Sequence, residues 1–239
     1  MDASPSAGTK LYMGGTSAAA LLTDTYVEIG GIESIPEFGR SYNEVTFTPL
    51  ADRGVQKYKG SYNDGSVTVP LAKDLSNAGQ AALYAARDSD FDYNFKVVAN
   101  DKVAPESFTV TISVATPGVF TKVAHGFVAN QELDLSTSAA DLPSGLTAGP
   151  VFVKTVLSAD TFTVSATAGG SAIATSDAGT GVHTVTTVPT NSVIYMRAKV
   201  MSFTNNPGNV DAVLMSSVTL GIRSGSLQEV ARLPGPAVS

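Results

Sequence analysis

The chain reads as an all-β protein with one short helix, and three observations carry that reading. Of its 239 residues 43% are apolar and only 15% charged, against a usual charged share of about 25%. Its 22 Gly and 12 Pro are enough to punctuate many turns. Apolar residues recur mostly at every second position, the period of a strand. The absence of Cys excludes a disulfide scaffold, thiolate zinc sites and a Cys nucleophile. A net charge of −6 argues against a nucleic-acid binder, which needs Lys and Arg to displace phosphate counterions.

Residues 1–23 are small and polar, and are expected to be an arm ordered only by partners. The start, Met1-Asp2-Ala3-Ser4-Pro5, has neither the basic nor the apolar stretch of a signal peptide. The longest apolar stretch, Ala18–Leu22, is far short of the roughly 20 residues that span a bilayer, so a chain made in a cytoplasm is expected. Strands begin at Tyr26-Val27-Glu28-Ile29, and Gly30-Gly31 predicts a bulge or break. Tyr42–Leu50 alternates, with Val45 and Phe47 on one side and Glu44, Thr46 and Thr48 on the other. Asn63-Asp64-Gly65 predicts a hairpin turn. Val67, Val69 and Leu71 then alternate with Ser66, Thr68 and Pro70, and the proline predicts an edge position or a strand end. Asn77 and Gln80 have the spacing of a capping box and open the one helix, which carries a stripe of Ala78, Ala81, Ala82, Leu83, Ala85 and Ala86 and ends near Asp88. In the strand that follows, Phe91, Tyr93, Phe95 and Val97 oppose Asp92, Asn94 and Lys96.

Near residue 105 the texture changes. Ser107–Thr187 holds 15 Thr, five acids and only Lys122 and Lys154 as bases. Short strands at Phe108–Val114, Val151–Leu157, Thr161–Val164 and Val182–Thr186 predict a second all-β unit. After Pro189 the first texture returns. Ile194, Met196, Ala198 and Val200 share one side of a strand, with Tyr195, Arg197 and Lys199 opposite. A turn at Asn205-Asn206-Pro207-Gly208 leads to a last strand with Val210, Ala212, Leu214, Val218, Leu220 and Ile222 on one side. With 105–189 removed, the strand at 91–99 meets the strand at 192–203 as an ordinary hairpin, since consecutive strands usually pair. The expected organisation is an arm (1–23), a β domain (24–104 plus 190–225), a domain inserted at a hairpin tip (105–189), where insertions are tolerated, and a C-terminal tail (226–239).

Catalytic signals are sparse. His125 and His183 each lie beside Gly with no acid within three residues, which reads as turn or strand-end histidines. No Gly-x-Ser-x-Gly elbow supports a triad. Asp88-Ser89-Asp90-Phe91-Asp92 resembles the start of a calcium loop, but the sixth and twelfth positions hold Tyr93 and Ala99 where Gly and Glu are needed. Gly179-Thr180-Gly181 lacks the Gly-Lys-Ser/Thr of a phosphate loop. Arg197 and Lys199, with Arg53, Lys57 and Lys59, would form a basic patch, for which a solvated or subunit-facing strand side is the stronger reading. No enzyme, cofactor, metal site or catalytic residue is expected.

Apart from the insert, the order of features resembles the major tail tube protein of long-tailed, lambda-type bacteriophages. The matching pieces are Tyr26–Ser34, Tyr42-Asn43-Glu44-Val45-Thr46-Phe47-Thr48, the polar excursion Asp52–Lys59, Gly60-Ser61-Tyr62-Asn63-Asp64-Gly65-Ser66-Val67-Thr68-Val69, the helix at Asn77–Leu83, and the closing pair Val200–Phe203 and Asn209–Leu220. The insert, through Thr116–Thr121, Ala124–Phe127 and Asp160–Ser165, resembles a β module of many phage structural proteins. The resemblance implies a β-sandwich-like or barrel-like subunit that forms hexameric rings. The rings stack into a virion tail tube, assembled in the host bacterial cytoplasm, through which DNA is ejected without specific binding. Implied partners are further copies of the chain and the tape measure, tail terminator and distal tail proteins, with no membrane. Arg53, Lys57, Tyr58, Lys59 and Tyr62 are the candidates for ring stacking, bridging to acids of the next ring. Tyr195, Arg197 and Lys199 are candidates for a strand-edge contact between subunits. The insert is expected to project outward, since about 80 residues in the bore would block DNA.

Two other readings compete. A β-domain adhesin acting through the insert predicts a stable monomer and a secretion signal. A glycan hydrolase needs two carboxylates about 5–9.5 Å apart in a cleft, normally with aromatic platforms, and this chain is 8% aromatic with no Trp.

Overall fold

The computed structural model of the chain describes residues 6–51, 53–139, 141–209 and 212–233. In chain order the elements are β1 (Lys10–Thr16), β2 (Val27–Ile29), β3 (Ser41–Phe47), β4 (Gln56–Asn63), β5 (Ser66–Ala72), α1 (Ala78–Ala86), β6 (Tyr93–Val98), β7 (Ser107–Ile112), β8 (Phe120–Thr121), β9 (Glu132–Thr137), β10 (Gly149–Val156), β11 (Thr161–Ser165), β12 (His183–Thr187), β13 (Val193–Asn206), β14 (Met215–Ile222) and β15 (Gln228–Val230). The fold is all-β with one helix among the described residues. It divides into two compact units. One comprises the described residues up to Asn100 with Val193–Val230, and the other Asp101–Ser192 with the described residues from Ala231 onward.

The first unit is built on an antiparallel sheet in the order β2-β1-β6-β13-β14-β5, with β15 also paired to β13. β6 and β13 run together from Val98↔Val193 to Tyr93↔Ala198, so the second unit leaves and re-enters the first at the end of one ladder. Alternation places one apolar side of these strands in a common core: Leu11 and Met13, Phe95 and Val97, Met196, Ala198 and Val200, Val218 and Leu220, and Val67, Val69 and Leu71. A register shift between Val200 and Ser202 on β13 turns Met201 outward and returns Phe203 to the core. β5 ends the sheet order, as Pro70 suggests.

Four sequence expectations are corrected in this unit. Residues 10–16 are not an arm: β1 lies between β2 and β6, with Leu11 and Met13 in the core, and those two alternating anchors are what a reading of small residues overlooks. Residues 228–230 pair with β13 rather than trailing as a tail. The last long strand begins at Met215, with Leu214 exposed and Val210 outside the described residues. Asn63-Asp64-Gly65 does not turn a hairpin, because β4 pairs with β3 while β5 pairs with β14; it is a corner between two sheets, with Gly65 at φ 76°.

Helix α1 begins where Asn77 Oδ1 accepts the Gln80 backbone N–H at 3.0 Å. The Gln80 side chain does not close the capping box. It is fully buried. Its Nε2 donates to the Gly30 and Ala72 carbonyls, each at 2.8 Å, and its Oε1 accepts the Asp74 N–H at 2.8 Å. The end of β5 at Ala72 and Asp74 and the Gly30 turn after β2 are thereby joined through one side chain. The buried side of α1 is Gly79, Gln80, Leu83 and Ala86. A Cβ at Gly79 would come within 2.3 Å of the Glu28 carbonyl oxygen, so only glycine lets the helix approach β2 this closely.

The second unit is a closed barrel in the order β10-β11-β8-β7-β12-β9, with β9 pairing back to β10. Closure leaves no open sheet edge. Leu133 and Leu135 place β9 in the wall, alternating with Glu132, Asp134 and Ser136, a strand the sequence reading did not include. Phe120, Phe127 and Phe162 fill the interior, with Phe162 5.3 Å from Phe120 and 5.2 Å edge-on from Phe127. Both histidines are buried. His125 Nδ1 accepts the Phe127 N–H at 2.9 Å, which leaves Nε2 to donate to the Ser158 carbonyl at 3.1 Å. The base of this unit is tied by Ser192, whose backbone N–H donates to Asp101 at 2.8 Å, and by Arg232, which donates to the Asp101 carbonyl at 2.7 Å.

Candidate functional site

β3 and β4 form a two-stranded antiparallel sheet that joins neither the main sheet nor the barrel. Every residue of β3, and all of β4 but Gly60, is exposed. Five of the sequence candidates fall on this hairpin. Tyr42↔Tyr62, Glu44↔Lys59, Val45↔Tyr58 and Phe47↔Gln56 are cross-strand partners, with a bulge between Tyr42 and Glu44 in the register. Alternation therefore sorts the side chains onto two different faces.

One face is charged and aromatic. The Arg40 guanidinium lies 4.3 Å over the Tyr62 ring, Tyr62 is 5.7 Å from Tyr42, and Lys59 Nζ lies 4.6 Å over Tyr42. Lys57 Nζ pairs with Glu44 at 2.9 Å. The other face carries Val45, Phe47 and Tyr58, which are 51%, 56% and 54% exposed. Leu50 and Val55 add exposed apolar surface in the connecting loop, where Arg53 is also exposed. The expected set of bridging groups is thus divided: Lys57 and Lys59 share one side and are engaged within the hairpin, while Tyr58 stands on the opposite, apolar side.

The hairpin is anchored at the Asp64 corner. Asp64 is completely buried and receives two hydrogen bonds from Arg40 and one from the Gly225 N–H at 2.7 Å. The Arg40 hydrogen bonds hold its carboxyl below the usual carboxylate range, against the opposing effect of burial. Neither Arg40 nor Asp64 stands out in the sequence as a site residue. The one signal was the turn motif itself, which marks Asp64 as local turn chemistry and says nothing of a partner 24 positions away.

Tyr195 and Arg197 are not on a strand edge, whereas Lys199, one residue past the end of the β6 ladder at Ala198, pairs with Gly221 of β14. β13 is interior, paired with β6 on one side and with β14 and β15 on the other. These residues lie half-buried on the side of the sheet away from the core. Tyr195 is 6.1 Å from Tyr26, and Lys96 Nζ lies 4.9 Å over Tyr12 and 4.5 Å over Tyr26. Arg197 Nε donates to Asn94 Oδ1 at 3.3 Å, and Asn94 in turn donates to Asp24 at 2.9 Å. Burial pushes the Tyr26 hydroxyl up to about 12. Burial also opposes ionisation of Asp24, but hydrogen bonds from Asn94, Gly15 and Thr25 outweigh it and keep its pKa low. The cluster fixes the 17–25 loop over the sheet.

Asp88 of the calcium-like stretch bonds its neighbour Arg87, and Asp92 lies 3.6 Å from Arg223. Among the described residues no three acid or histidine side chains converge to hold a metal, and no helix is long and apolar enough to cross a membrane. No protein-family model matches the chain, and no curated protein matches it.

Proposed function

We propose that the chain is a self-assembling structural subunit, and that the assembly is the stacked-ring tail tube of a long-tailed bacteriophage. The β3–β4 hairpin is the observation that carries this reading. An isolated two-stranded hairpin is marginal in water, because it buries no apolar face. Here one face exposes Val45, Phe47 and Tyr58 together, the kind of contiguous apolar surface that marks an interaction site. A second copy would supply the cover that the hairpin lacks.

Other features agree with this proposal. An acidic subunit suits a bore through which DNA slides, since few cations are offered to its phosphates. The closed barrel of the second unit has no open edge to polymerise through, which suits an outward domain and leaves assembly to the first unit. The proposed partners are further copies of this chain and the tail proteins at the two ends of the tube and within it. No catalytic role is proposed.

Negative-stain electron microscopy of the concentrated protein tests the reading. Rings or hollow tubes of uniform width are expected, and deletion of Gln56–Tyr62 is expected to abolish them. Tubes that form normally without those residues would remove the hairpin from the assembly.

A further inference from the structure

We infer that His183 works a proton-operated latch at the end of the barrel away from Asp101 and Ser192. As imidazolium it leaves the Thr137 hydroxyl to hold the Thr180 carbonyl, and as neutral imidazole it draws that hydroxyl away and frees the 177–181 loop. His183 opens β12, paired with Val110 of β7 and Thr137 of β9, and its side chain is buried. Its Nε2 meets the Ala178 carbonyl at 3.1 Å, and its Nδ1 meets Thr137 Oγ1 at 3.2 Å. Thr137 Oγ1 in turn donates to the Thr180 carbonyl at 3.0 Å. The loop before β12 is thus tied to the barrel wall twice, through one chain of hydrogen bonds.

Counting protons fixes the state in which all three bonds coexist. A carbonyl only accepts, so the Ala178 bond needs a proton on Nε2. The single Thr137 proton is engaged by the Thr180 carbonyl. The bond between Nδ1 and Oγ1 then has only an Nδ1 proton to use, which makes the ring the doubly protonated cation. A neutral ring with its proton on Nε2 becomes an acceptor at Nδ1, and competes with the Thr180 carbonyl for the one hydroxyl proton. His125 shows the opposite arrangement: its Nδ1 accepts the Phe127 N–H, so its bonds are those of the neutral ring. Around His183, β7 carries no titratable side chain, β9 carries Glu132 and Asp134, the 138–148 connection carries Asp141 and the loop itself carries Asp177. None of these segments holds Lys or Arg, so no cation opposes the imidazolium. Asp177 steadies the same loop independently, accepting the Ser144 and Gly179 N–H groups at 3.0 Å each. The Ser144 hydrogen bonds hold its carboxyl below the usual carboxylate range, so it stays charged between about pH 5 and 8, where histidine changes charge. Asp177, Ala178 and Thr180 line a cleft of about 380 Å³ with Asp141, Leu142 and Ser144, and the latch sets how firmly that wall of the cleft is held.

Hydrogen exchange of the full chain at about pH 5 and pH 8, corrected for intrinsic rates, reads the Gly179, Thr180 and Val182 amides, which bond Asp177, the Asp141 carbonyl and Ser138. The imidazole nitrogen shifts of the two histidines read the charge, and His183→Gln assigns them. The expected result is exchange about fivefold faster at the higher pH, the effect of one net hydrogen bond, in step with deprotonation of His183. Thr137→Val keeps the branched shape without the hydroxyl, and is expected to show the faster exchange at both pH values. His183→Gln, with one donating and one accepting end, matches the neutral ring and is expected to behave the same way. Slow exchange at Val153, whose N–H donates to the Gln131 carbonyl, reports an intact barrel in both variants. A wild-type His183 that does not change charge across this range, or that does so with no change in loop exchange, would overturn the latch. So would a pH dependence that survives in Thr137→Val.

Discussion

Arg40 Nε donates to Asp64 Oδ1 at 2.7 Å and its Nη2 to Oδ2 at 3.2 Å, a fork-to-fork pair at the corner where the exposed hairpin meets the main sheet. Such bidentate geometry fixes direction as well as contributing energy. Because the pair lowers the folded-state pKa of Asp64, its stabilisation is complete above the unfolded carboxylate value of about 3.9 and is lost as pH falls through the lower folded value. Amide exchange at residues 60–66 and 223–226 is therefore expected to stay slow from pH 7 to 5, after correction for intrinsic rates, and to accelerate below about pH 4. Asp64→Asn is expected to show the fast exchange already at pH 7. Wild-type protection in that variant would show that the corner does not depend on the charge.

Gln80 offers a sharper stability test. Gln80→Leu keeps the approximate volume but orphans the Asp74 N–H and the Gly30 and Ala72 carbonyls. Unsatisfied buried groups cost about 1–3 kcal/mol each, so a loss of about 3 kcal/mol or more is expected in urea denaturation of the first unit. A loss below about 1 kcal/mol would mean that water replaces the amide.

Phe162 does the same for the second unit. It is fully buried against Phe120, Phe127 and His125. Phe162→Ala is expected to cost about 3–5 kcal/mol and to leave the urea midpoint of the first unit unchanged. Parallel loss in both units would show that the chain unfolds as one cooperative body.

Replacing Glu106–Val188 by a short Gly-containing turn tests the division directly. No residue of that segment belongs to the first core, and the β6–β13 ladder is complete without it. The shortened chain is expected to keep a cooperative melt and a dispersed amide spectrum. A molten spectrum would show that the first unit needs the second to fold.

The class of the fold, most of its strands, helix α1 and the point at which β6 meets β13 are legible in the sequence alone. Those are consequences of period-two alternation, turn chemistry and the tendency of consecutive strands to pair, all of which are local. Which alternating strands cover a core depends on long-range packing. β3 and β5 carry the same pattern, Val45 and Phe47 in one and Val67, Val69 and Leu71 in the other. β5 is buried against β14, some 150 positions away, while β3 pairs, among the described residues, with β4 alone. Alternation says that one side of a strand is apolar; it does not say what covers that side. The same limit hid Asp64, whose burial depends on Arg40 and Gly225 arriving from distant parts of the chain, and Asn94, read as an outward residue but buried through Ala19, Asp24 and Arg197. Whether a polar side chain faces water or a partner is settled by long-range packing, because its own neighbours in sequence are the same in either case.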